Sequence, residues 1–161
     1  MAKLKQIMSI SGILLIGGLF CLLSNVELEY IVNRRITIFE SYDLETWEKQ
    51  FITGAYIVCA FAAFISVLWY GLTQWHFKVV DWKSVGKRPL WLFLFFIIPI
   101  AAFLFGLVYL KDYVEQGIGW PAGFYAINSM LCYYLSTLFC SPVAFKYTPI
   151  GATLVRYWLH Y

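Results

Sequence analysis

The sequence predicts an all-α polytopic membrane protein with four transmembrane helices, both termini on the cytoplasmic side, and short loops. Hydrophobic residues make up 61% of the 161 residues and charged residues only 13%, whereas soluble domains contain roughly 45–50% and about 25%. Four apolar runs are long enough to cross about 30 Å of hydrocarbon. Basic residues concentrate in alternate connecting segments. These three observations place the chain in the membrane class and leave no room for a soluble catalytic domain.

The spans are predicted at residues 7–26, 51–71, 90–110 and 124–143, and together they form one transmembrane domain over residues 1–161. Residues 144–161 follow as a cytoplasmic tail. Lys3 and Lys5 precede the first run as in a signal peptide, but no small-x-small cleavage site closes it, so we expect this span to be retained. The third run is free of charge and contains Pro99, which is expected to kink it.

Basic residues set the orientation. The amino terminus, the second loop and the tail contain two, four and two basic residues, eight in all. The first and third loops contain three and one basic residues, four in all. Because basic residues favour the cytoplasmic side, we expect both termini inside and the chain in the bacterial inner membrane. Six aromatic residues near span ends are expected to anchor the helices at headgroup depth: Trp75, Trp82, Trp91, Trp120, Tyr147 and Trp158.

The first loop has two structural signals. Residues 30–39 are rich in β-branched and aromatic residues, which favours an extended or hairpin-like segment. Ser41 or Asp43 can cap a helix, and acidic residues at 43, 45 and 48 favour a helix amino terminus. We therefore expect the second helix to begin before its membrane span.

The four predicted spans contain no Asp, Glu, Lys, Arg or His. Because intramembrane charges usually mark ion pathways and transport sites, the sequence disfavours an ion-coupled transporter and an enzyme. His76 and His160 are too isolated to predict a metal site, and no cofactor is expected. The net charge of +3 gives no reason to expect direct nucleic-acid binding. Cysteines 21, 59, 132 and 140 all lie in apolar stretches and are interpreted as packing residues.

Span four is the most polar of the four. Small residues recur on one face of span four and of span two, where another helix can approach closely. They are predicted to pack helices within the chain or to form the seam of a homo-oligomer, from dimer to tetramer: Ala55, Cys59, Ala63, Ser129, Cys132, Ser136 and Cys140. The alternative is a pore or polar face formed by Asn128, Tyr133 and Thr137. The sequence does not separate these interpretations.

The inside orientation also brings the second loop and the tail to the same side of the membrane. They are predicted to form a cytoplasmic docking face for anionic lipid or for a protein partner: Lys78, Lys83, Lys87, Arg88, Arg156, Tyr157, Trp158 and Tyr161.

Residues 138–146, Leu-Phe-Cys-Ser-Pro-Val-Ala-Phe-Lys, resemble the last span and cytoplasmic exit of the four-span immunity proteins of pore-forming colicins. The resemblance implies a non-enzymatic inner-membrane protein that binds another membrane-inserted protein through its helices. It assigns no functional residues.

The leading functional expectation is a non-enzymatic bacterial inner-membrane protein that acts by helix-mediated assembly, in envelope immunity or defence against phage or bacteriocin. One alternative is an accessory subunit of a larger membrane machine that docks a cytosolic partner. Another is a small oligomeric channel lined by span four. The lipid bilayer is a partner in every case.

Overall fold

The computed structural model describes residues 2–32, 36–40, 43–76, 88–140 and 151. Its four helices are α1 (Ala2–Val32), α2 (Leu44–His76), α3 (Arg88–Leu110) and α4 (Gly119–Cys140). Two short strands, β1 (Thr37–Ile38) and β2 (Val114–Gln116), lie in the connections that precede α2 and α4. The prediction of a helical chain with four helices is confirmed.

Three of these helices are long and apolar enough to cross a membrane. The suitable segments within the described residues are Ile7–Ile31 in α1, Leu44–Leu72 in α2 and Pro89–Leu110 in α3. Helix α4 is not among them, because polar residues such as Asn128 and Thr137 interrupt its apolar character. The structure thus supports membrane association through three helices, and the crossing by α4 stays a prediction.

Helix α1 is longer than the predicted span of residues 7–26. Residues 27–32 were assigned to the first loop, but they continue the helix through Val32. The helix continues because Ile31, one turn beyond Glu27, is fully buried against Trp47 and Phe51 of α2. The expectation of an extended segment over residues 30–39 is therefore wrong for residues 30–32, whereas residues 33–35 lie outside the described part of the chain.

Helix α2 begins at Leu44, before the predicted span, as the acidic residues of the first loop indicated. The Thr46 backbone N–H donates to Asp43 Oδ1 at 3.2 Å, which satisfies one of the free amide groups at the helix start. Hydrogen bonds from the Thr46 side chain and backbone hold the pKa of the Asp43 carboxyl below its ordinary value. Asp43, one of the two predicted capping residues, is therefore the cap.

Among the described residues 36–40 of the first loop, the extended segment is β1, and its partner strand lies in another loop. Strand β1 pairs in antiparallel fashion with β2, with Thr37 opposite Gln116 and Ile38 opposite Val114. The backbone N–H of Phe39 also donates to the Tyr113 carbonyl at 3.3 Å. This ladder ties the α1–α2 connection to the α3–α4 connection, so both lie at one end of the bundle, which we call the strand end.

Helix α4 occupies the central position in the bundle. It packs against α1, α2 and α3, and α1 also packs against α2. By contrast, α2 and α3 touch only slightly, and α1 and α3 share almost no contacts. Four of the six buried polar residues of the described structure lie on α4, so the helix with the most buried polar side chains is the one with the most protein around it.

The contact between α3 and α4 depends on a glycine. A Cβ added at Gly106 would lie 2.9 Å from the Cα of Ala122, closer than real Cβ atoms approach backbone. A Cβ added at Gly18, on the exposed side of α1, would meet nothing within 4 Å.

We expect Gly106→Ala to lower the free energy of unfolding by about 1–3 kcal/mol, because the helices must move apart. The matched variant Gly18→Ala should be neutral or slightly stabilising, because alanine favours helix and no neighbour obstructs it. Unfolding of the purified protein in micelles by increasing SDS measures both. Equal stability of the two variants would contradict the close α3–α4 packing.

Candidate functional site

A carboxyl group lies within the membrane-competent part of α1. Glu27 belongs to the segment Ile7–Ile31 and is half-buried. The Nδ2 of Asn128, on α4, donates to Glu27 Oε2 at 2.7 Å. The predicted span of residues 7–26 contains no charge, but the apolar segment of α1 continues past Glu27 and Glu29 to the buried Ile31.

Ser24 extends this contact into a small polar cluster, which we call the Glu27–Asn128 cluster (Ser24, Glu27, Asn128). The Asn128 amide also lies 3.4 Å from Ser24 Oγ, and the Ser24 hydroxyl donates to the Phe20 carbonyl at 3.0 Å. Phe20, Ser24, Glu27 and Ile31 recur at intervals of four, three and four residues, which places them on one helix face. That spacing was the available sequence signal that Glu27 belongs to the interior face of α1.

Within the described part of the chain, the Glu27 carboxyl has an amide partner, Asn128, rather than a cationic one. Among the described side chains, the one ion pair joins Lys49 to Glu45 on the exposed side of α2. Charged groups inside membrane helices usually face the protein and pair with polar groups, since lipid cannot solvate them. The cluster therefore attaches α1 to α4, and it supplies a half-buried carboxyl near the strand end.

A second polar contact joins α4 to α3. Trp91 Nε1 donates to Thr137 Oγ1 at 3.0 Å, and the Thr137 hydroxyl donates in turn to the Tyr133 carbonyl at 2.9 Å. The Trp91 ring stacks on Phe95 and on Tyr133, with centroids 5.2 and 6.0 Å apart. Trp91 is therefore buried, at 1% exposure, and the prediction that it anchors α3 at the headgroups is wrong.

Two tyrosines attach α2 at the strand end. The Tyr125 hydroxyl on α4 donates to the Phe51 carbonyl at 2.6 Å, and the Tyr109 hydroxyl on α3 donates to Gln50 Oε1 at 2.8 Å. With the contacts above, α4 is hydrogen-bonded to each of the other three helices. Such bonds replace the apolar driving force that lipid does not provide between helices.

The small residues predicted to pack helices or form an oligomer seam lie inside the chain. Six have described side chains, and all six are buried: Ala55, Cys59, Ala63, Ser129, Cys132 and Ser136. Cys140 ends α4, and its side chain lies outside the described part. A Cβ at Gly17 of α1 would lie 3.3 Å from the Ala63 Cβ, so α1 already occupies part of this face. The homo-oligomer stays a prediction, but an interface between copies on this face would require the helices of one chain to separate first.

Three cysteine thiols meet where α1, α2 and α4 pack together. The Cys59 thiol interacts with those of Cys21 and Cys132, and all three are free. Cys59 and Cys132 are buried in the same apolar cluster as Phe20. This position agrees with their interpretation as packing residues. Across the described residues, no group of three or more His, Cys, Asp or Glu side chains has the arrangement of a metal site.

The residues predicted as a pore or polar face are also interior. Asn128, Tyr133 and Thr137 are buried against neighbouring helices of the same chain. Asn128 faces α1 through Glu27, whereas Thr137 faces α3 through Trp91. They therefore point in different directions and do not form one polar surface on the outside of the chain.

The predicted cytoplasmic docking face lies almost entirely outside the described residues. Arg88 is the first residue of α3, and its side chain is not among those described. The others fall in the ranges 77–87 and 152–161, so the docking face stays a prediction: Lys78, Lys83, Lys87, Arg156, Tyr157, Trp158 and Tyr161.

One surface feature was not predicted. A hollow of about 500 Å³ lies on the outer side of α4 at the strand end and is lined by Gly117, Gly119, Trp120, Gly123, Phe124 and Ile127. Gly119 and Gly123 precede the predicted span of residues 124–143, but both belong to α4. The available signal was their spacing of four residues, which is typical of close helix contacts in membranes.

We expect Asn128→Leu to lower the free energy of unfolding by about 1–2 kcal/mol, because it leaves the Glu27 carboxyl without its interhelical donor. Replacing both partners, in Glu27→Leu/Asn128→Leu, should recover most of this loss. Asn25→Leu is the matched control, since Asn25 bonds only to the Leu22 carbonyl of its own helix among the described contacts. Unfolding of the purified proteins in micelles by increasing SDS measures the free energy of unfolding of all three variants. An Asn128→Leu variant no less stable than Asn25→Leu would refute the structural role of the cluster.

Comparison of the chain with protein-family models, with curated proteins and with solved structures finds no match. The functional argument therefore depends on the residues and their arrangement.

Proposed function

We propose that this chain is a non-enzymatic, multi-pass protein of the bacterial inner membrane that acts by helix-mediated assembly with other membrane-inserted chains. The observation that carries this proposal is that polar side chains of α4 bind the other helices of the same chain. Three of its interior polar side chains, Asn128, Tyr125 and Thr137, are bonded to Glu27 of α1, to the Phe51 carbonyl of α2 and to Trp91 of α3. Tyr133 Oη and Ser136 Oγ are also interior but have no hydrogen-bond partner in the described structure. The polar groups thus hold the bundle together, and what the chain offers outward is apolar helix surface.

The outward surface supports the same proposal. Large apolar side chains are exposed along α1 and α3, including Leu15, Leu22 and Val26 on α1 and Phe93, Phe96 and Val108 on α3. Such surfaces suit lipid or the helices of another membrane protein.

We propose that α4 is the fourth span, with both termini cytoplasmic. A central helix in a bundle touches less lipid than its neighbours, so it tolerates the polar residues that lower the hydropathy of α4. The β1–β2 ladder joins the first and third loops at one end of the bundle. Two loops on the same side of a membrane are separated by an even number of crossings, which agrees with one crossing each by α2 and α3. The eight-to-four distribution of basic residues supports the orientation.

Within this class, we propose a role in envelope immunity or in defence against phage or bacteriocin. Its support is the resemblance over residues 138–146, of which residues 138–140 form the end of α4. A protective protein of this kind needs a membrane position and a helix surface that binds an intruding protein, and it needs no catalytic group.

Two alternatives differ in the surface that they require. An accessory subunit of a larger membrane machine would bind a cytosolic partner through the docking face of residues 78–88 and 156–161. A channel lined by span four would need Asn128, Tyr133 and Thr137 to face a shared opening. The burial of these three residues within one chain favours assembly over the channel.

We expect reporter fusions at Lys5, Gly86 and Tyr161 to be cytoplasmic and a fusion at Ser41 to be periplasmic, because basic residues are retained inside. Alkaline phosphatase activity identifies a periplasmic fusion point, and fluorescent-protein signal identifies a cytoplasmic one. A periplasmic carboxyl terminus would show that α4 does not complete a fourth crossing.

Purification of the full chain in mild detergent, with mass measurement and identification of retained proteins, tests the proposed function. We expect a complex larger than the monomer, whether with copies of itself or with another membrane protein. The control is the double variant Lys87→Glu/Arg88→Glu, which should leave a helix-mediated complex intact. A monomer that retains nothing would contradict assembly, and loss of a cytosolic partner in the control variant would favour the accessory-subunit alternative.

A further inference from the structure

The Glu27–Asn128 cluster leaves one oxygen of its carboxyl group open to the outside of the bundle. Asn128 Nδ2 donates to Glu27 Oε2, whereas Glu27 Oε1 accepts no hydrogen bond among the described contacts. Oε1 is also not one of the fully buried polar atoms that lack a partner, and Glu27 as a whole is only half-buried. The open oxygen therefore reaches the surface where α1 and α4 meet.

No positive charge within the described part of the chain balances this carboxyl. Helix α4, which faces it, has no Lys, Arg or His between Gly119 and Cys140, and Lys49 of α2 is paired with Glu45. The Asn128 amide supplies a hydrogen bond but no opposite charge. Since lipid solvates a carboxylate poorly, a cation from outside the described chain is the partner that suits Oε1.

The surface around the open oxygen is apolar. Leu23 and Tyr30 lie one turn before and one turn after Glu27 on the same face of α1, and both are exposed. Ile127, the neighbour of Asn128 on α4, is exposed as well. A single carboxyl oxygen among the apolar side chains of two helices is complementary to an apolar helix that carries one cationic side chain.

The depth of Glu27 favours a protein cation over a lipid headgroup. Glu27 lies four residues inside the Ile31 end of the segment Ile7–Ile31, which is about 6 Å along the helix. Lipid amines lie at the headgroups, whereas a lysine on a neighbouring helix is placed at a given depth by its position in the sequence. Lysine also suits one open oxygen, because its ammonium is a point charge, whereas the guanidinium of arginine matches two oxygens.

Such a pairing is selective. In the proposed orientation the strand end is periplasmic, and basic residues are uncommon at the periplasmic ends of membrane helices. A helix with an apolar residue at this depth would cover the Glu27 carboxyl without pairing it, which is unfavourable. The carboxyl thus favours an uncommon class of partner helix and disfavours the common one.

We propose that Glu27 is the point at which this chain recognises a membrane helix of another protein that carries a lysine at the same depth. The lysine ammonium pairs with Glu27 Oε1 while Asn128 holds Oε2. Apolar residues of the partner helix lie against Leu23, Tyr30 and Ile127. This inference depends on the proposed function, for which it gives the chemistry of the partner.

The test uses the full chain in phosphatidylcholine vesicles with synthetic transmembrane peptides of leucine and alanine that have neutral ends. One peptide carries a lysine one turn inside an end of its apolar segment, and the other carries a glutamine there. Energy transfer between labelled chain and labelled peptide measures the dissociation constant. We expect the wild type to bind the lysine peptide about tenfold more tightly than the glutamine peptide, because only the lysine can pair with the carboxylate.

Glu27→Gln should abolish this preference. The variant should fold, because glutamine keeps an oxygen that accepts from Asn128, and unfolding by increasing SDS checks this. Glu29→Gln is the matched control and should keep the preference, since Glu29 belongs to the same apolar segment but, two residues away, faces another direction. Glu27→Lys should instead prefer a peptide with glutamate in place of the lysine.

Three results would overturn the inference. One is equal affinity of the wild type for the lysine and glutamine peptides, and another is a preference that survives in Glu27→Gln. The third is a preference that disappears when phosphatidylethanolamine replaces phosphatidylcholine, which would assign the carboxyl to lipid amines. If the inference fails but the wild type still co-purifies with another membrane protein, the proposed function stands with a different contact. If the chain also retains nothing, both proposals fail.

Discussion

The architecture depends on one constraint: polar side chains on a helix surrounded by apolar groups are stable where they face the protein and find partners there. Helix α4 carries most of the buried polar side chains among the described residues, and its position gives three of its side chains partners on other helices. Asn128 reaches Glu27, Thr137 accepts from Trp91, and Tyr125 reaches the Phe51 carbonyl. Tyr133 Oη and Ser136 Oγ are buried without a hydrogen-bond partner in the described structure. A peripheral α4 would turn part of this polar surface toward lipid.

The same constraint accounts for the other helices. Since α4 is central, α1 and α3 lie on its flanks and expose large apolar side chains. Helix α1 tolerates a carboxyl group because the group is placed against the Asn128 amide. At the strand end, the β1–β2 ladder joins two loops, and the Tyr109–Gln50 hydrogen bond joins α3 to α2. Polar contacts therefore stabilise this end of the bundle.

Much of the fold could be predicted from local signals. The start of α2 follows from Asp43 and the acidic residues after it, and the number of helices follows from the apolar runs. The pairing of β1 could not be predicted, because a two-residue strand carries no signal for its partner in a distant loop. The length of α1 could not be predicted because a charged residue such as Glu27 normally ends a span. The free-energy cost of partly burying the Glu27 carboxyl is offset by Asn128, which lies 101 positions further along the chain.

The candidate site was predictable only in part. Spacing correctly grouped Ser129, Cys132 and Ser136 on one helix face, but spacing alone does not say whether that face meets the same chain or another copy. Burial of these residues shows that the chain itself occupies the face. Trp91 was assigned to the interface by composition, whereas its ring is enclosed by Phe95 and Tyr133. Such outcomes depend on how helices pack together, which a single sequence does not reveal.

Amide hydrogen exchange of the full chain in lipid nanodiscs tests the central position of α4 most directly. If α4 is the buried, hydrogen-bonded core of a membrane bundle, the amides of residues 125–138 should stay protected for hours, as strongly as those in the middle of α1 and α3. Exchange of these amides within minutes, with α1 and α3 still protected, would show that α4 lies outside the bundle and would contradict the account.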